Sequence, residues 1–590
     1  MSSLPVLIER RHPEPQLHSA AISAGYSDLQ ARILASRLPQ SAANDVAAHV
    51  RPTLRQLDPP DRLPDIDVAA KRIADFVMDP SQRAVVISDH DVDGMGGHSV
   101  LRTAFIEYFF VDHRRVGGVL SHKRKEGFGV SEALLERLVA QYPPPALCIT
   151  VDQGSQDEAR FKRMVELGYT CLVTDHHEVH VPPPSAIACV NPTREDSQFP
   201  DRYISGAHVA FLLACAVRKE LIARGHLRAN APSLTALLDW VGTSAVADAV
   251  SISKSVNNRA VISHALSMMN HAPRPAWVAM RQIMKKEGDF TEQDLAMSIA
   301  PRLNAISRMG DALPGVKFLR TQDLDTALQL AAHADVENQA RKSEELKMLD
   351  VALALAAPQA AAGRHAICVH LKEGVSSIHG IVASRLVEAF GRPAVCLSPK
   401  FGSPGVLTGS LRSIAGVNIH HALDMVDDLD PDATISHGGH AGAGGCSLHE
   451  EMFDRFANAF DKAVSLQRDL RNAQPVILSD GELARPLDES VLDEIAAIGP
   501  FGREFEAPLF EGSYYVTDLR WVGDGTHAKL TLVDDQGVPH DAIWFRAMKQ
   551  GEAAPVAPMQ RIRAVFALSA NIFRGKRRID MQVKHATVIP

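Results

Sequence analysis

The sequence predicts a multidomain α/β protein, and three observations carry that prediction. Short β-branched or apolar runs alternate with helical patterns in two separate stretches, a long charged helical span lies between them, and the chain after about residue 472 consists of β-like runs separated by turn residues. A chain of 590 residues also exceeds what one hydrophobic core holds, so length sets a soft expectation of about three to five domains. Apolar residues at 46% and charged residues at 22% match a globular chain and exclude a largely disordered or collagen-like one.

Residues 1–80 show apolar positions at helical spacing in AAISAGYSDLQARILASRL and DVAAKRIADFVM, joined by the breaker-rich RQLDPPDRLPD, which reads as a helical adaptor. From Arg83 the texture changes. AVVIS, ALCITV and CLVT are each followed by a polar turn and then a helical pattern, the signature of a parallel sheet whose ligand site lies beyond the carboxyl ends of its strands. A helix-rich stretch ends in DTALQLAAHADVENQARKSEELKMLDVALALAA, read as one long helix with a charged outer face that bridges two lobes. HAICVHL opens a second α/β unit that closes with HGGHAGAGGCSL. HAKLTLV, DAIWF and IRAVFALSA then suggest a small β-barrel.

No apolar run approaches the roughly 20 residues that cross a bilayer, and the start lacks the apolar core of a signal peptide, so the expected address is the cytoplasm with no membrane partner. The seven cysteines are scattered, without a CxxC pair, and read as reduced core residues rather than a zinc site. A net charge of −8 does not itself suggest a nucleic-acid partner, although a groove can be basic inside an acidic molecule.

After AVVIS comes Asp89-His90-Asp91-Val92-Asp93-Gly94. Carboxylates packed this closely repel one another unless cations neutralise them, and hard divalent ions do so through oxygen ligands. Alone, the motif also suits a solvated acidic turn or a calcium loop. The next strand, however, ends in Asp152-Gln153-Gly154 and the third in Asp175-His176-His177. Three successive strand ends of this kind converge on one sheet edge, where they could surround two ions about 3.5–4 Å apart.

DHDVDG, VDQG, TDHHE and VADAV resemble the ordered motif series of the DHH phosphoesterases. KEGFG at 125–129, SGAHVAF at 205–211, APRLNAISRMGDA at 300–312, GIVASRL at 380–386, GSLRSIAG at 409–416, GGHAGAGG at 438–445 and GPFGREFEAPLF at 499–510 resemble its RecJ branch, in order and over nearly the whole chain. The resemblance implies a DHH domain at 81–325, a connecting helix at 326–360, an α/β DHHA1 domain at 361–470 and an OB-fold-like nucleic-acid-binding domain at 471–590. It implies Asp89, Asp91, Asp93, Asp152, His176 and Asp248 as ligands of two Mn2+ or Mg2+ ions, with Asp152 bridging, Asp175 behind a histidine and His177 facing the scissile phosphate. Carboxylate and imidazole suit these ions better than thiolates would.

Substrate contacts are implied for Arg302, Asn304, Arg308, Arg385, Arg412, Ser413, Gly438, Gly439 and His440. Guanidinium forks hold phosphate bidentately and glycines let backbone N–H groups approach an anion; inter-lobe bridging is the lesser alternative for Arg302, Asn304 and Arg308. Phe501, Phe505, His527, Lys529 and the segment 571–575 are implied for the last domain, where an aromatic content of 5% limits base stacking. The implied activity is hydrolysis of single-stranded DNA from its 5′ end to 5′-mononucleotides by a water activated between two metals, in repair and recombination. The implied enzyme is a monomer, with a single-strand-binding protein and a helicase as partners.

Four features depart from the RecJ pattern: Ser244-Ala245 before the VAD motif, Ser307 in the PRLNA segment, His90 in place of an aromatic, and SSIHG ahead of GIVASR. Two rival readings remain: a shorter DHH–DHHA1 phosphodiesterase for oligoribonucleotides or cyclic dinucleotides, and a Cdc45-like replication scaffold without chemistry. The additional C-terminal domain argues against the first. The complete acidic set argues against the second, since clustered carboxylates without cations have no structural benefit.

Overall fold

The computed structural model describes all residues except 1–5, 124, 128, 472, 484–485, 524, 549–553, 574–575 and 590, and leaves the side chains of 570–578 aside. The chain forms two compact units: Leu57–Val250 with Val261–Pro475, and Pro5–Gln56 with Ser251–Ala260 and Val476–Pro590.

The first unit holds two sheets. The earlier is five-stranded and all parallel, in the order Val116–Leu120, Ala84–Ser88, Leu147–Val151, Thr170–Thr174, Ala188–Val190. Ala84–Ser88 and Leu147–Val151 are buried along their whole length, because helices cover both faces of a parallel sheet. Below it, Val85, Ile87, Leu134, Leu138, Cys148, Phe161 and Cys171 form one core. Helix Val92–Thr103 packs on helices Gly206–Ala223 and Leu238–Ala247. The fit is close. A Cβ on Gly96 would lie 2.0 Å from Ser244 Oγ, and that hydroxyl donates to Val92 O at 3.2 Å, so the Ser244 departure is accommodated inside the packing.

The predicted bridging helix is Leu324–Ala361, 38 residues, or about 57 Å at 1.5 Å per residue. Its buried stripe, Ala327, Ala331, Ala334, Asn338, Arg341, Met348, Ala352, Ala356 and Ala360, recurs every three or four residues apart from one two-turn step between Arg341 and Met348. The helix packs on Pro275–Ile283 and Ala300–Met309 in its first half and on His379–Phe390 beyond. The second sheet, ordered Ser436–His440, Ala443–His449, Val406–Arg412, Ala394–Pro399, Ile367–His370, is mixed, with only the last pair parallel.

The second unit contains a closed barrel of Phe510–Val522, His527–Val533, Pro539–Trp544, Lys576–Val588 and Arg561–Phe573. Here the structure redraws the expected 1–80 adaptor. Strand Leu7–Arg10 pairs in parallel with Val476–Ser479, and the buried Arg37 forks onto Asp480 at 2.6 and 2.7 Å, so the segment to Gln56 packs with the barrel. Helix Ile66–Met78 instead packs on Gly206–Ala223 in the first unit. Phe501 and Phe505 stack on each other at 5.5 Å in this second unit. Segment 571–575 lies outside the residues whose side chains are described. Among the described residues no helix is long and apolar enough to cross a membrane.

Candidate metal centre

In-register parallel pairing aligns Ser88 with Leu120 and Val151, Val151 with Thr174, and Thr174 with Val190. The next residue of each strand therefore falls into one row across the carboxyl edge: Ser121, Asp89, Asp152, Asp175, Asn191. Backbone bonds continue the ladder into that row. Ser121 N donates to Ser88 O at 2.9 Å, Asp89 N to Val151 O at 3.2 Å, Asp152 N to Thr174 O at 3.0 Å and Asp175 N to Val190 O at 3.2 Å.

The turn after Asp89 is built around helix ends. Asp91 caps helix Val92–Thr103, its Oδ1 accepting from Asp93 N and Gly94 N at 3.0 and 3.1 Å. Asp93 reaches the amino end of helix Gly206–Ala223, where its carboxylate accepts from Gly206 N at 2.7 Å and Ala207 N at 2.9 Å. Asp152 sits at φ 60°, a left-handed conformation that costs a non-glycine residue about 1–2 kcal/mol. Gly206 faces it so closely that a Cβ there would lie 2.7 Å from Asp152 Cβ and Oδ1.

His176 Nε2 lies 3.1 Å from Asp152 Oδ1 and 3.6 Å from both Asp93 Oδ2 and Asp248 Oδ2. Asp248 arrives from the carboxyl end of helix Leu238–Ala247. Three sets of donor atoms each fall within 4.8 Å: Asp89, Asp91 and Asp152; Asp93, His176 and Asp248; Asp152, His176 and His177. Asp152 links the first set to the third and His176 links the second to the third, so the six predicted ligands converge on one site. Behind them, Asp175 Oδ1 accepts from the backbone of His176 and His177 at 2.7 and 3.2 Å and lies 2.7 Å from His177 Nδ1.

The electrostatics describe a site short of positive charge. Burial first, then the neighbouring Asp93 and Asp91, push the Asp152 carboxyl far above the usual range. Burial raises Asp248 to about 7 against the pull of His176, and raises Asp93 as well. Burial opposes the charge on His177, but Asp175 outweighs it and holds the imidazole up at about 10. Asp152 Oδ1 and His176 Nε2 are both buried, and neither has a hydrogen-bond partner among the described residues; their 3.1 Å approach lacks the geometry for one. Unsatisfied buried acceptors among crowded carboxylates fit hard divalent cations.

The expected substrate residues divide. Arg308 N–H donates to Ser377 O while Ser377 Oγ donates to Arg308 O at 2.9 Å, clasping helix Ala300–Met309 to the second α/β lobe. Burial lowers its pKa, with Asp91 opposing and Arg341 and Arg412 adding to the fall, which places it among cations near the carboxylates. Arg412 is partly buried and donates to Leu411 O at 2.7 Å. Ser413 Oγ donates to Val417 O at 2.6 Å. Gly438, Gly439 and His440 form an edge strand paired with 443–445; Gly438 faces open space, and His440 Nδ1 accepts from Gly442 N at 3.1 Å.

Arg302, Asn304 and Arg385 are engaged within the protein. Arg302 Nε donates to Asp335 Oδ1 on the long helix at 2.9 Å, Arg385 to Glu388 at 2.8 Å, and Asn304 Oδ1 accepts from Val92 N at 3.1 Å. Ser307, another departure, is buried and donates to Asn304 O at 3.1 Å.

Four residues escaped sequence reasoning. Ser121 donates to Asp89 Oδ1 at 2.7 Å. Asn191 Nδ2 and Thr193 Oγ1 grip the carbonyl of His177 at 2.9 and 2.8 Å, and the only trace of this is an Asn-Pro-Thr that reads as a turn. Lys123 is pushed down to about 7 by burial, with Arg308 adding and Asp89 and Asp91 opposing, so it belongs to the same basic group as Arg308 and Arg412.

Three family models match the chain: the DHH family, N-terminal domain, over residues 83–239; the DHHA1 domain over 367–466; and the RecJ OB domain over 480–585. The single-stranded-DNA-specific exonuclease RecJ of Dickeya dadantii is 31% identical over 88% of this chain and 89% of its own. That of Escherichia coli is 30% identical over 85% and 86%. Among solved structures, RecJ from Thermus thermophilus in complex with Mn2+ shares the fold at TM-score 0.77 and 24% identity, over 98% of this chain and 79% of that one. An exonuclease RecJ bound to manganese matches at TM-score 0.56 and 27% identity, over 70% and 97%. With motifs, domain order and architecture in agreement, the chain belongs to the RecJ family.

Proposed function

We propose that the chain is a metal-dependent exonuclease that hydrolyses single-stranded DNA processively from the 5′ end, releasing 5′-mononucleotides. The observation that carries this reading is the convergence of Asp89, Asp91, Asp93, Asp152, His176 and Asp248 at one sheet edge, with Asp152 common to two donor sets. These residues hold two divalent cations in this reading, Mn2+ or Mg2+, as expected of oxygen and imidazole donors. The cations, when bound, supply the Lewis acidity that activates a water and offsets charge on the phosphoryl oxygens.

The protein's own side chains do the rest. His177, its side chain about half exposed, has its ring fixed by Asp175 and faces the scissile phosphate. Arg308, Arg412 and Lys123 supply positive charge beside the carboxylates and hold the strand's phosphates, with Ser413 and the 438–440 strand completing the grip. Arg302 and Asn304 act as positioning residues, one tying helix Ala300–Met309 to the long helix through Asp335 and the other holding the Val92 N–H beside Asp91, while Arg385 pairs with Glu388 on the second lobe. A single strand must be freed from its duplex before it can be degraded, so a helicase and a single-strand-binding protein are the partners this reading implies, in repair and recombination.

The test incubates the full chain and Mn2+ with single-stranded DNA labelled at either end, beside a duplex control and an Asp152→Ala variant. Stepwise loss from the 5′ end, abolished in the variant, supports the reading. Cleavage confined to short oligoribonucleotides, or none of any substrate, overturns it.

A further inference from the structure

At the first strand end the structure contains a feature that the metal reading does not use. His90 and Ser121 are 1% and 2% exposed, and both turn toward the Oδ1 atom of Asp89. Ser121 Oγ donates to that oxygen at 2.7 Å. His90 Nδ1 lies 2.8 Å from the same oxygen and 3.0 Å from Ser121 Oγ. The hydroxyl has one proton, spent on Asp89, so Nδ1 faces only lone pairs and must itself carry a hydrogen. Asp89 Oδ1 thus accepts from the Ser121 hydroxyl, while the His90 N–H, which donates to Ser121 Oγ, stands beside the same oxygen.

We infer that Ser121 and His90 form a positioning clamp that sets the plane of the Asp89 carboxylate for one of the two cations. The inference rests on the metal reading above. Neither Ser121 nor His90 belongs to any of the three donor sets, so both act through Asp89. The register makes the arrangement unavoidable: Leu120 pairs with Ser88, so whatever follows Leu120 stands beside Asp89. With Oδ1 held by the Ser121 hydroxyl, and that hydroxyl held in turn by the His90 N–H, rotation of the carboxylate is opposed and its remaining oxygen is presented at one fixed point. Outer partners of this kind commonly change metal affinity by about 10–100-fold. The clamp also gives a reason for His90 where the RecJ pattern has an aromatic ring: a ring of similar bulk fills the same buried space, and only the imidazole adds a donor.

The test titrates the full chain with Mn2+ and counts free ion by electron paramagnetic resonance, using wild type, Ser121→Ala, Ser121→Thr and His90→Phe, with folding checked by thermal melting. Two ions on the wild type are expected. Ser121→Ala and His90→Phe should each weaken one of them by about 10–100-fold and leave the other unchanged, while Ser121→Thr, which keeps the hydroxyl, should bind both as the wild type does. Folded Ser121→Ala and His90→Phe proteins that bind both ions with wild-type affinity would sink the clamp alone. A wild type that binds no Mn2+ would instead remove the metal reading on which it stands. If Ser121→Ala does not fold, His90→Phe decides the matter by itself, because it removes the donor while keeping a ring.

Discussion

Asp152 combines a left-handed backbone, nearly complete burial and contact with like charge. Each costs stability in the metal-free protein. Asn tolerates the left-handed region better than most residues and carries no charge. Asp152→Asn is therefore expected to raise the metal-free melting temperature by a few degrees, a gain of about 1 kcal/mol, while abolishing the stabilisation that Mn2+ gives the wild type. Paired melts with and without Mn2+ check both halves. His379 poses the opposite problem: buried, with Nε2 2.8 Å from Ser398 Oγ, it has its pKa lowered to about 4 by burial. The unfolded chain then binds more protons between about pH 4 and 6.5, so stability is present above that window and lost as pH falls through it. Urea midpoints should drop from pH 7 to pH 5, and His379→Gln should flatten the drop. The carboxylates were legible in the sequence because three of them crowd into five residues after a strand. Ser121 and Lys123 were not, because a serine and a lysine in a turn gain meaning only once the neighbouring strand is known.

The elements explain why the cluster forms at all. Strand pairing sets the row Ser121, Asp89, Asp152, Asp175, Asn191, and two helix amino ends press against it: Val92–Thr103, capped by Asp91, and Gly206–Ala223, capped onto Asp93. Alternating β-branched runs and helical patterns made the parallel sheet readable, yet strand order is a tertiary property that no local pattern records. Gly206 is where the second helix bears on the row. A methyl group there meets Asp152 Cβ, which the strand end holds rigidly, rather than the tip of a flexible chain. Gly206→Ala should displace Asp152 and weaken Mn2+ binding by 10-fold or more, by analogy with the outer-partner effects of about 10–100-fold. The same substitution should leave far-ultraviolet circular dichroism unchanged, which separates a shifted ligand from a lost fold.

At the scale of the molecule, chain order and spatial order part company. The barrel was foreseeable from its turn-separated strands, but the unit that contains it also recruits Pro5–Gln56 and the ten-residue stretch Ser251–Ala260. No change in composition marks that stretch. Its contribution is Arg259, fully buried, which lies 4.5 Å over the ring of Phe505 and donates to Val50 O at 3.2 Å and Ile498 O at 2.7 Å. Three remote segments thus share one guanidinium, and Arg37 repeats the device with its two bonds to Asp480. Removing either arginine strands buried acceptors, and breaking a buried ion pair costs about 3–5 kcal/mol. Arg37→Ala should therefore loosen its unit as a whole. Hydrogen exchange should accelerate together in helix Asp28–Ala35, in 251–260 and in barrel strand Phe510–Val522, while strands Ala84–Ser88 and Leu147–Val151 keep their protection. Acceleration confined to 28–37 would mean that the termini and the barrel do not unfold as one, and that truncating the chain after residue 475 would spare the N-terminal helices instead of exposing them.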